Sequence, residues 1–360
     1  MLPCQEDNRS FFEKLQKAKG LDLRDNRGKR HDLAVVLVGV TIAILSNRDG
    51  CLSSIHRHLK NHYGKTISAL GVEKRRPVWR SQLPLILEKV GMEVFDRLLF
   101  ENFGVKLNEG ERLWFAFDGK EMRGSIESGD KRGEAIVQAV EHTTRQVAAQ
   151  DYYSGLKESE ILTVRKLLDK SGLSAEKVSL DALHCNPETL ELIAESKGKY
   201  LVGLKENQKE LKKQIGREIE KEAVLFKIGG VEKGHGRIET RKYEFYDILE
   251  MEKDERWKKC QIKTLIKVNR ERIDQKSGKS SLEESYYVSN EVGKYEELSK
   301  AVRNHWKVET NNNLRDVSLK EDEMRSKKEV TENNGKFENI DNSNFRENKV
   351  SKQKSSIREF

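Results

Sequence analysis

The sequence predicts an α/β protein, in which a mixed β-sheet carries helices on its faces and a small all-helical domain precedes it. Three observations support this. The apolar period changes from helical to extended at Leu113, as it does when a chain passes from amphipathic helices into strands. From there the segments run β-β-β-α-β-α-β, an order that calls for a mixed sheet covered by helices. Before that point the chain is helical and basic. Its 360 residues suit about two domains at roughly 150 residues each.

Residues 11–17 read as a first helix, followed by a basic, Asp-containing loop over 22–31. Asp32 can cap a helix running LAVVLVGVTIAILS, which the cluster Asn47-Arg48-Asp49-Gly50 ends,. Helices are expected over 53–63, 81–90 and 92–103, completing a domain of residues 1–105. LWFAF is the first strand and ends at Asp118-Gly119; EAIVQAVEHTT and RQVAAQDYYS are the next two, with a tight turn after Thr144,. A helix over 158–171 leads into the short buried strand KVSLDA. A helix over 187–196, with Pro187 suited to its first turn, precedes the fifth strand, KYLVGLK. After a charged helix over 207–222, the runs RKYEFYDIL, CQIKTLIKVNRER and ESYYVSN alternate as strands. A final helix from about Lys294 carries Leu298, Ala301, Val302 and Trp306. Beyond Arg325 too few apolar residues remain to offset the entropy of ordering the chain,.

Composition narrows the function. The 68 Lys and Arg against 60 Asp and Glu leave a charge of +8, and charged residues, at 36 %, are as frequent as hydrophobic ones. No window approaches the roughly 18 consecutive apolar residues of a membrane-spanning helix, because the longest run, 33–45, is shorter and contains Thr41. Charged residues near the start leave no room for the apolar region of a signal peptide. A cytoplasmic protein without a membrane partner is expected. Cys4, Cys51, Cys185 and Cys260 stand singly, which argues against a disulfide scaffold or a structural zinc site. The excess of positive charge makes a polyanion a better partner than an acidic protein.

Two carboxylates end predicted core strands, Asp118 in WFAFDGK and Asp181 in VSLDALHCN. An acid directly after a buried strand is costly unless it is paired, capped or bound to a cation. Asp118 could open a turn with Gly119, and Asp181 could cap the following helix. Taken together, on strands that the topology can set side by side, they make a better cation site than two separate caps. Glu309, in RNHWKVETNN, is a third candidate, and spacing alone does not separate it from Glu296, Glu297 or Glu321.

The segments WFAFDGKEMRGS, VSLDALHCN, KYLVGLKENQ, GHGRIETR, YYVSN and VRNHWKVET, with DVSLKED downstream, resemble in content and order the H-repeat-associated (ISAs-type) group of DDE insertion-sequence transposases. DLRDNRGKRHDLAVVLVGVTIAILS resembles the helical segment that precedes the catalytic domain in that group. The resemblance covers roughly residues 15–325. It implies an RNase H-like catalytic domain over 111–325, with a mainly β insertion at about 223–291. It also implies that Asp118, Asp181 and Glu309 are the catalytic, metal-binding acids. Two Mg²⁺ ions, or Mn²⁺, roughly 4 Å apart would neutralise the phosphate and stabilise both the attacking and the leaving oxygen. The implied partner is DNA, both the terminal inverted repeats and the target. A homodimer in the DNA complex and association with the bacterial nucleoid follow by analogy.

Basic and amide side chains near these motifs are candidate DNA contacts. Lys120 and Arg123 follow Asp118, and Lys205, Asn207 and Gln208 follow the fifth strand. His235 and Arg237, with Arg241, form a glycine-flanked basic loop. Each suits phosphate or base-edge contact, and each is also an ordinary surface residue. Trp306 suits packing of the last helix, with stacking on a displaced base as the other reading. In the helical domain, Arg27, Lys29 and Arg30 form the densest basic cluster and Lys74-Arg75-Arg76 the next.

The chain departs from the group after Glu309. Thr310-Asn311-Asn312-Asn313-Leu314 replaces an apolar-His-aromatic run, and residues 326–360 replace an apolar helix with a polar tail. A frameshifted or decaying gene copy would read this way. Two other functions therefore stand beside the transposase: an inactive DNA-binding remnant, and an RNase H-like nuclease without end specificity.

Overall fold

The structure, a computed structural model, describes residues 10–318 except 48–50, 74, 106–109, 111, 122, 124, 125, 127, 128, 130, 134, 154–156, 222, 235 and 250–253. The polar tail and His235 therefore lie outside the described residues. The chain divides into two units. One comprises residues 1–104, 121–134 and 312–360, and the other 105–120 and 135–311.

The described part of the first unit is helical. Helix α1 (Phe11–Lys17) opens with a reciprocal cap, in which Ser10 Oγ accepts from the Glu13 amide and Glu13 accepts from the Ser10 amide. This satisfies two of the donors that every helix start leaves unpaired. Helix α2 (Leu33–Asn47) is capped as expected by Asp32, whose Oδ1 accepts from the Ala34 amide at 2.8 Å. Leu33, Ala34, Val35, Val36, Leu37, Val40 and Ala43 are all buried. A short helix this apolar on so many sides is the centre of a helical core, here packed against α1 and α3 (Leu52–Ala69). Among the described residues no helix is long and apolar enough to cross a membrane.

Helix α3 runs six residues past its expected end at Tyr63. Gly64 costs such a helix only about 1 kcal/mol, and Ile67, 5 % exposed, keeps the apolar face going beyond it. Helix α4 (Leu83–Glu88) is shorter than expected, with Pro84 in its first turn, and α5 (Met92–Phe103) matches. The loop over 22–31 is tied down by Arg24, whose Nε and Nη2 bond both oxygens of Asp22 while Nη2 also donates to His31 O at 2.8 Å. Those hydrogen bonds hold the Asp22 carboxyl below its usual range.

The second unit holds a nine-stranded sheet, in the order β3-β2-β1-β4-β5-β9-β8-β7-β6. Its first five strands are β1 (Trp114–Glu121), β2 (Ala135–Glu141), β3 (Val147–Tyr153), β4 (Lys177–Leu180) and β5 (Lys199–Leu204). Strands β1, β4 and β5 are mutually parallel, and β2 and β3 form an antiparallel hairpin. Helices α6 (Lys157–Ser171) and α7 (Pro187–Glu195) connect them. Strand β1 does not stop at Asp118-Gly119; it continues to Glu121, so Asp118 opens no turn.

After α8 (Lys209–Lys221) come β6 (Phe226–Gly234), β7 (Arg237–Asp247), β8 (Thr264–Asp274) and β9 (Ser280–Ser289). Strand β6 escapes the sequence reading because Gly229 and Gly230 interrupt its pattern and most of it is exposed. Strand β9 pairs antiparallel with β5, so the second group of strands extends the first sheet.

The two faces are packed differently because side chains alternate along each strand. Phe115, Phe117, Val178 and Leu180 join one core with Val164, Leu167 and Leu168 of α6 and Leu190 and Ile193 of α7. On the other face, Leu201, Phe245, Ile266 and Val268 meet Leu298, Ala301 and Val302 of α9 (Tyr295–Ser318). Ala116 and Val140 meet Val308 of the same helix. The buried thiols of Cys185 and Cys260 are both pushed up to about 12 by desolvation, so neither is a ready nucleophile.

In the helical unit Gly91 donates to Leu21 O at 2.7 Å, and a Cβ built on it would lie 2.0 Å from Gly20 O. That contact is with backbone, which cannot swing aside. Gly91→Ala is expected to destabilise the chain by about 2–3 kcal/mol, read as a lower midpoint in chemical denaturation.

Candidate active site

Strand register brings the two aspartates together. Ala116 of β1 lies beside Ser179 of β4, and counting two residues onward along both parallel strands sets Asp118 level with Asp181. Both project toward the face that α9 covers, by the alternation that points Ala116 and Ser179 there. Asp181 also acts as a cap: its Oδ1 accepts from the Leu183 amide at 3.0 Å, at the start of a short 3₁₀ turn over Ala182–His184.

Helix α9 brings the third acid and is anchored at several points. Glu297 accepts from Trp114 Nε1 and from Lys177 Nζ, each at 2.6 Å. Ser179 Oγ lies 2.9 Å from His142 Nε2 and 3.0 Å from His305 Nδ1. Lys307 Nζ donates to His142 O at 2.5 Å. His142 stacks on Trp114 at 5.8 Å between ring centres. Desolvation pushes His142 down to about 3 and His305 to about 4. Both rings are therefore neutral near pH 7, and one serine hydroxyl can donate to one of them and accept from the other.

The four candidate glutamates are now distinguished. Glu297 anchors the helix, Glu296 is exposed, and Glu321 lies outside the described residues. Glu309 is the one in the field of the aspartates. Its carboxyl is pushed up by desolvation and by Asp181, against the pull of Lys205. Asp118 is pushed up to about 7, first by desolvation and then by the charges of Asp181, Glu309 and Glu160. Asp118, Asp181 and Glu309 thus form one mutually repelling group. As placed, no three His, Cys, Asp or Glu side chains among the described residues gather tightly enough to hold a metal ion. The donor set itself, three carboxylates, has the chemistry of a hard divalent cation site.

The basic and amide candidates fall into different places. Lys205 is exposed and faces Glu309. Lys120 is buried in β1, at 8 % exposure, rather than presented at the surface. The amides of Asn207 and Gln208, read from the sequence as DNA contacts, donate to Ala182 O at 2.6 Å and Cys185 O at 2.8 Å, pinning the loops after β4 and β5 together. Arg241 belongs to no loop. It sits within β7, and its guanidinium is paired with Glu239 and Glu232. Arg237 is exposed where β7 begins. Arg123, Arg27, Lys29 and Arg30 are exposed in the other unit. Trp306, read as a packing residue, is 42 % exposed, with the Arg270 guanidinium 5.4 Å from its ring centre.

Sequence reasoning passed over the serine and histidines that seat α9, and over Glu160, Tyr153 and His184 beside the acids. His184 was within reach, one turn after Asp181 in the same motif. Glu160 looked like any glutamate on a polar helix start.

Two measurements test this geometry. Ser179→Ala leaves two buried imidazoles short of a partner, and about 2–3 kcal/mol of stability should be lost in chemical denaturation. Asp118 has a folded pKa of about 7 against an ordinary 3.8. The stability of its protonated form is present below about 3.8 and lost as pH rises through about 7. In cation-free buffer with chelator, Asp118→Asn escapes that loss. Its stability relative to wild type should rise by about 2 kcal/mol between about pH 5 and pH 8, measured by denaturant titration at each pH.

Comparison with known proteins identifies the domain family. Residues 111–334 match the transposase DDE domain family. Two Escherichia coli proteins are similar at 26 % identity. One, from strain K12, is named "H repeat-associated putative transposase YhhI" and aligns over 58 % of this chain and 57 % of its own length. The other, from O157:H7, is named "Putative transposase YncI" and aligns over 64 % and 62 %. The chain thus spans about three fifths of the length of these relatives. By the extent of the domain match, the chain belongs to the transposase DDE domain family.

Proposed function

We propose that the chain is the transposase of a bacterial insertion sequence, cutting phosphodiester bonds at the element's terminal inverted repeats and joining the freed ends to target DNA. One observation carries the reading: the carboxylates of Asp118, Asp181 and Glu309 act on one another, from the body of β1, the end of β4 and α9. Crowded carboxylates with no cation between them are unfavourable, and a divalent cation relieves them. The strand order β3-β2-β1-β4-β5, antiparallel in its first pair and parallel in its last three strands, supports an RNase H-like core. The relatives' names support DNA as substrate.

In this reading Asp118, Asp181 and Glu309 hold the cations, and the remaining residues set the geometry. A bound pair of Mg²⁺ or Mn²⁺ ions supplies the positive charge that a scissile phosphate and its leaving oxygen require. Ser179, with His142 and His305, keeps Glu309 against the strand ends. Lys205, beside Glu309, meets a phosphate oxygen. Water as the attacking group gives a nick, and a freed 3′-hydroxyl in its place gives strand transfer. Residues 1–105 bind the element's ends, with Arg27, Lys29 and Arg30 on phosphates, and a dimer holds two ends together.

Incubation with DNA carrying the element's own ends and Mg²⁺ should give end nicks and joined products. Asp118→Asn should lower both by at least about a thousandfold, the scale of losing one group that stabilises transition-state charge. Cleavage unaffected by Asp118→Asn would reject the site, and no cleavage by the wild-type chain would reject the activity.

A further inference from the structure

A fourth carboxylate stands beside the three acids. Glu160 lies near the start of α6, on the face of the sheet opposite α9, and reaches β1 next to Asp118. A Cβ built on Gly119 would lie 2.5 Å from the Glu160 carboxyl carbon and 2.5 Å from the Tyr153 hydroxyl. Only a residue without a side chain leaves room there, so the Glu160 carboxyl is seated against the α-carbon that follows Asp118. Tyr153 Oη donates to Glu160 Oε2 at 2.8 Å, which fixes one oxygen and turns the other. The charge of Glu160 is felt at Asp118.

His184 provides the second, independent observation. Its side chain is 1 % exposed, and neither ring nitrogen has a hydrogen-bond partner among the described residues. Burying an imidazole without partners is unfavourable. Its Nε2 points between two carboxylates, 3.4 Å from Glu160 Oε1 and 3.9 Å from Asp181 Oδ1. A polar ring enclosed this way and aimed at two acids is an arrangement that becomes complete when those acids turn to share a ligand.

We propose that Glu160 is a fourth cation ligand of this centre, and that His184 is the positioning residue that orients the Glu160 and Asp181 carboxylates toward the ion. The ion is held from both faces of the sheet, by Glu160 from the α6 side and by Glu309 from the α9 side. Asp118, within β1, and Asp181, just past the end of β4, lie between them. The proposal rests on the reading of Asp118, Asp181 and Glu309 as a cation centre, and its test separates the two.

The test is Mn²⁺ titration of the full chain, with free Mn²⁺ followed by electron paramagnetic resonance and folding checked by thermal melting in chelator. Wild type should bind, and Asp118→Asn should weaken binding at least tenfold. Glu160→Gln keeps an acceptor for Tyr153 and should weaken binding about tenfold, the scale set by losing a group that holds or orients a metal, with an unchanged or higher melting temperature. Tyr153→Phe breaks the same hydrogen bond while keeping the carboxylate, and should leave affinity within about twofold. His184→Phe should weaken binding severalfold, and His184→Gln, which restores a donor, should recover it. Glu160→Gln binding as wild type does, or Tyr153→Phe binding as weakly as Glu160→Gln, overturns the role of Glu160. Equal affinities of the two His184 variants overturn that of His184. Wild-type binding that Asp118→Asn leaves untouched instead overturns the cation centre itself.

Discussion

The hydroxyl of Ser179 sits between two imidazoles, His142 on the β2–β3 side and His305 on α9, and the seating of α9, with Glu309 on it, depends on that junction. Glu309 is one turn beyond His305, so the junction decides where its carboxyl falls. Its strength comes from neutrality. Desolvation keeps both rings uncharged well below neutral pH, and the shared hydroxyl donates to one neutral ring and accepts from the other without like charges facing each other. Glu297 and Lys307 add charged contacts on either side, but these tolerate solvent and sliding. The serine contact fixes the helix in register with β4.

Charge is also arranged in order on the extension of the sheet. Across β6 to β9 the charges answer one another in rows: Arg272 with Glu239 at 3.1 Å, Lys267 with Glu284 at 2.8 Å, Lys227 with Glu244 at 3.1 Å, and Arg303 of α9 with Glu232 at 2.9 Å. Cross-strand pairs of opposite sign are individually worth little at the surface. Together they specify register, because a slip by one residue would turn each row to the opposite face.

Most of the architecture could be read from the residues because apolar period and punctuation agree there. LAVVLVGVTIAILS with Asp32 before it, and the change at Leu113, have few alternative interpretations. Strand β6 was hidden because a largely exposed strand with two glycines has no apolar alternation to detect. At the site, Asp118 and Asp181 stood out as acids closing buried strands. Glu309 was separated from its neighbours only by family likeness, and Glu297 proved to be an anchor. Arg241 misled because charge in a sequence says nothing of its partners: Glu239 and Glu232 lie across strands or two residues away, and strand register places them together. Glu160 was unreadable for a related reason, since what marks it is a bare α-carbon at Gly119, whereas His184 lay within the Asp181 motif and only its burial sets it apart.

Helix α9 touches the outlying strands with Leu298, Ala301 and Val302 and the central ones with Val308. From Tyr295 to Glu309 it spans roughly 21 Å at ~1.5 Å per residue. It is held at both ends of that span, on the β extension around Leu298 and on β4 through His305, so Glu309 overhangs the last grip by a single turn, roughly 6 Å at ~1.5 Å per residue. A tilt that the outlying strands impose on the helix is thereby damped before it reaches the acid.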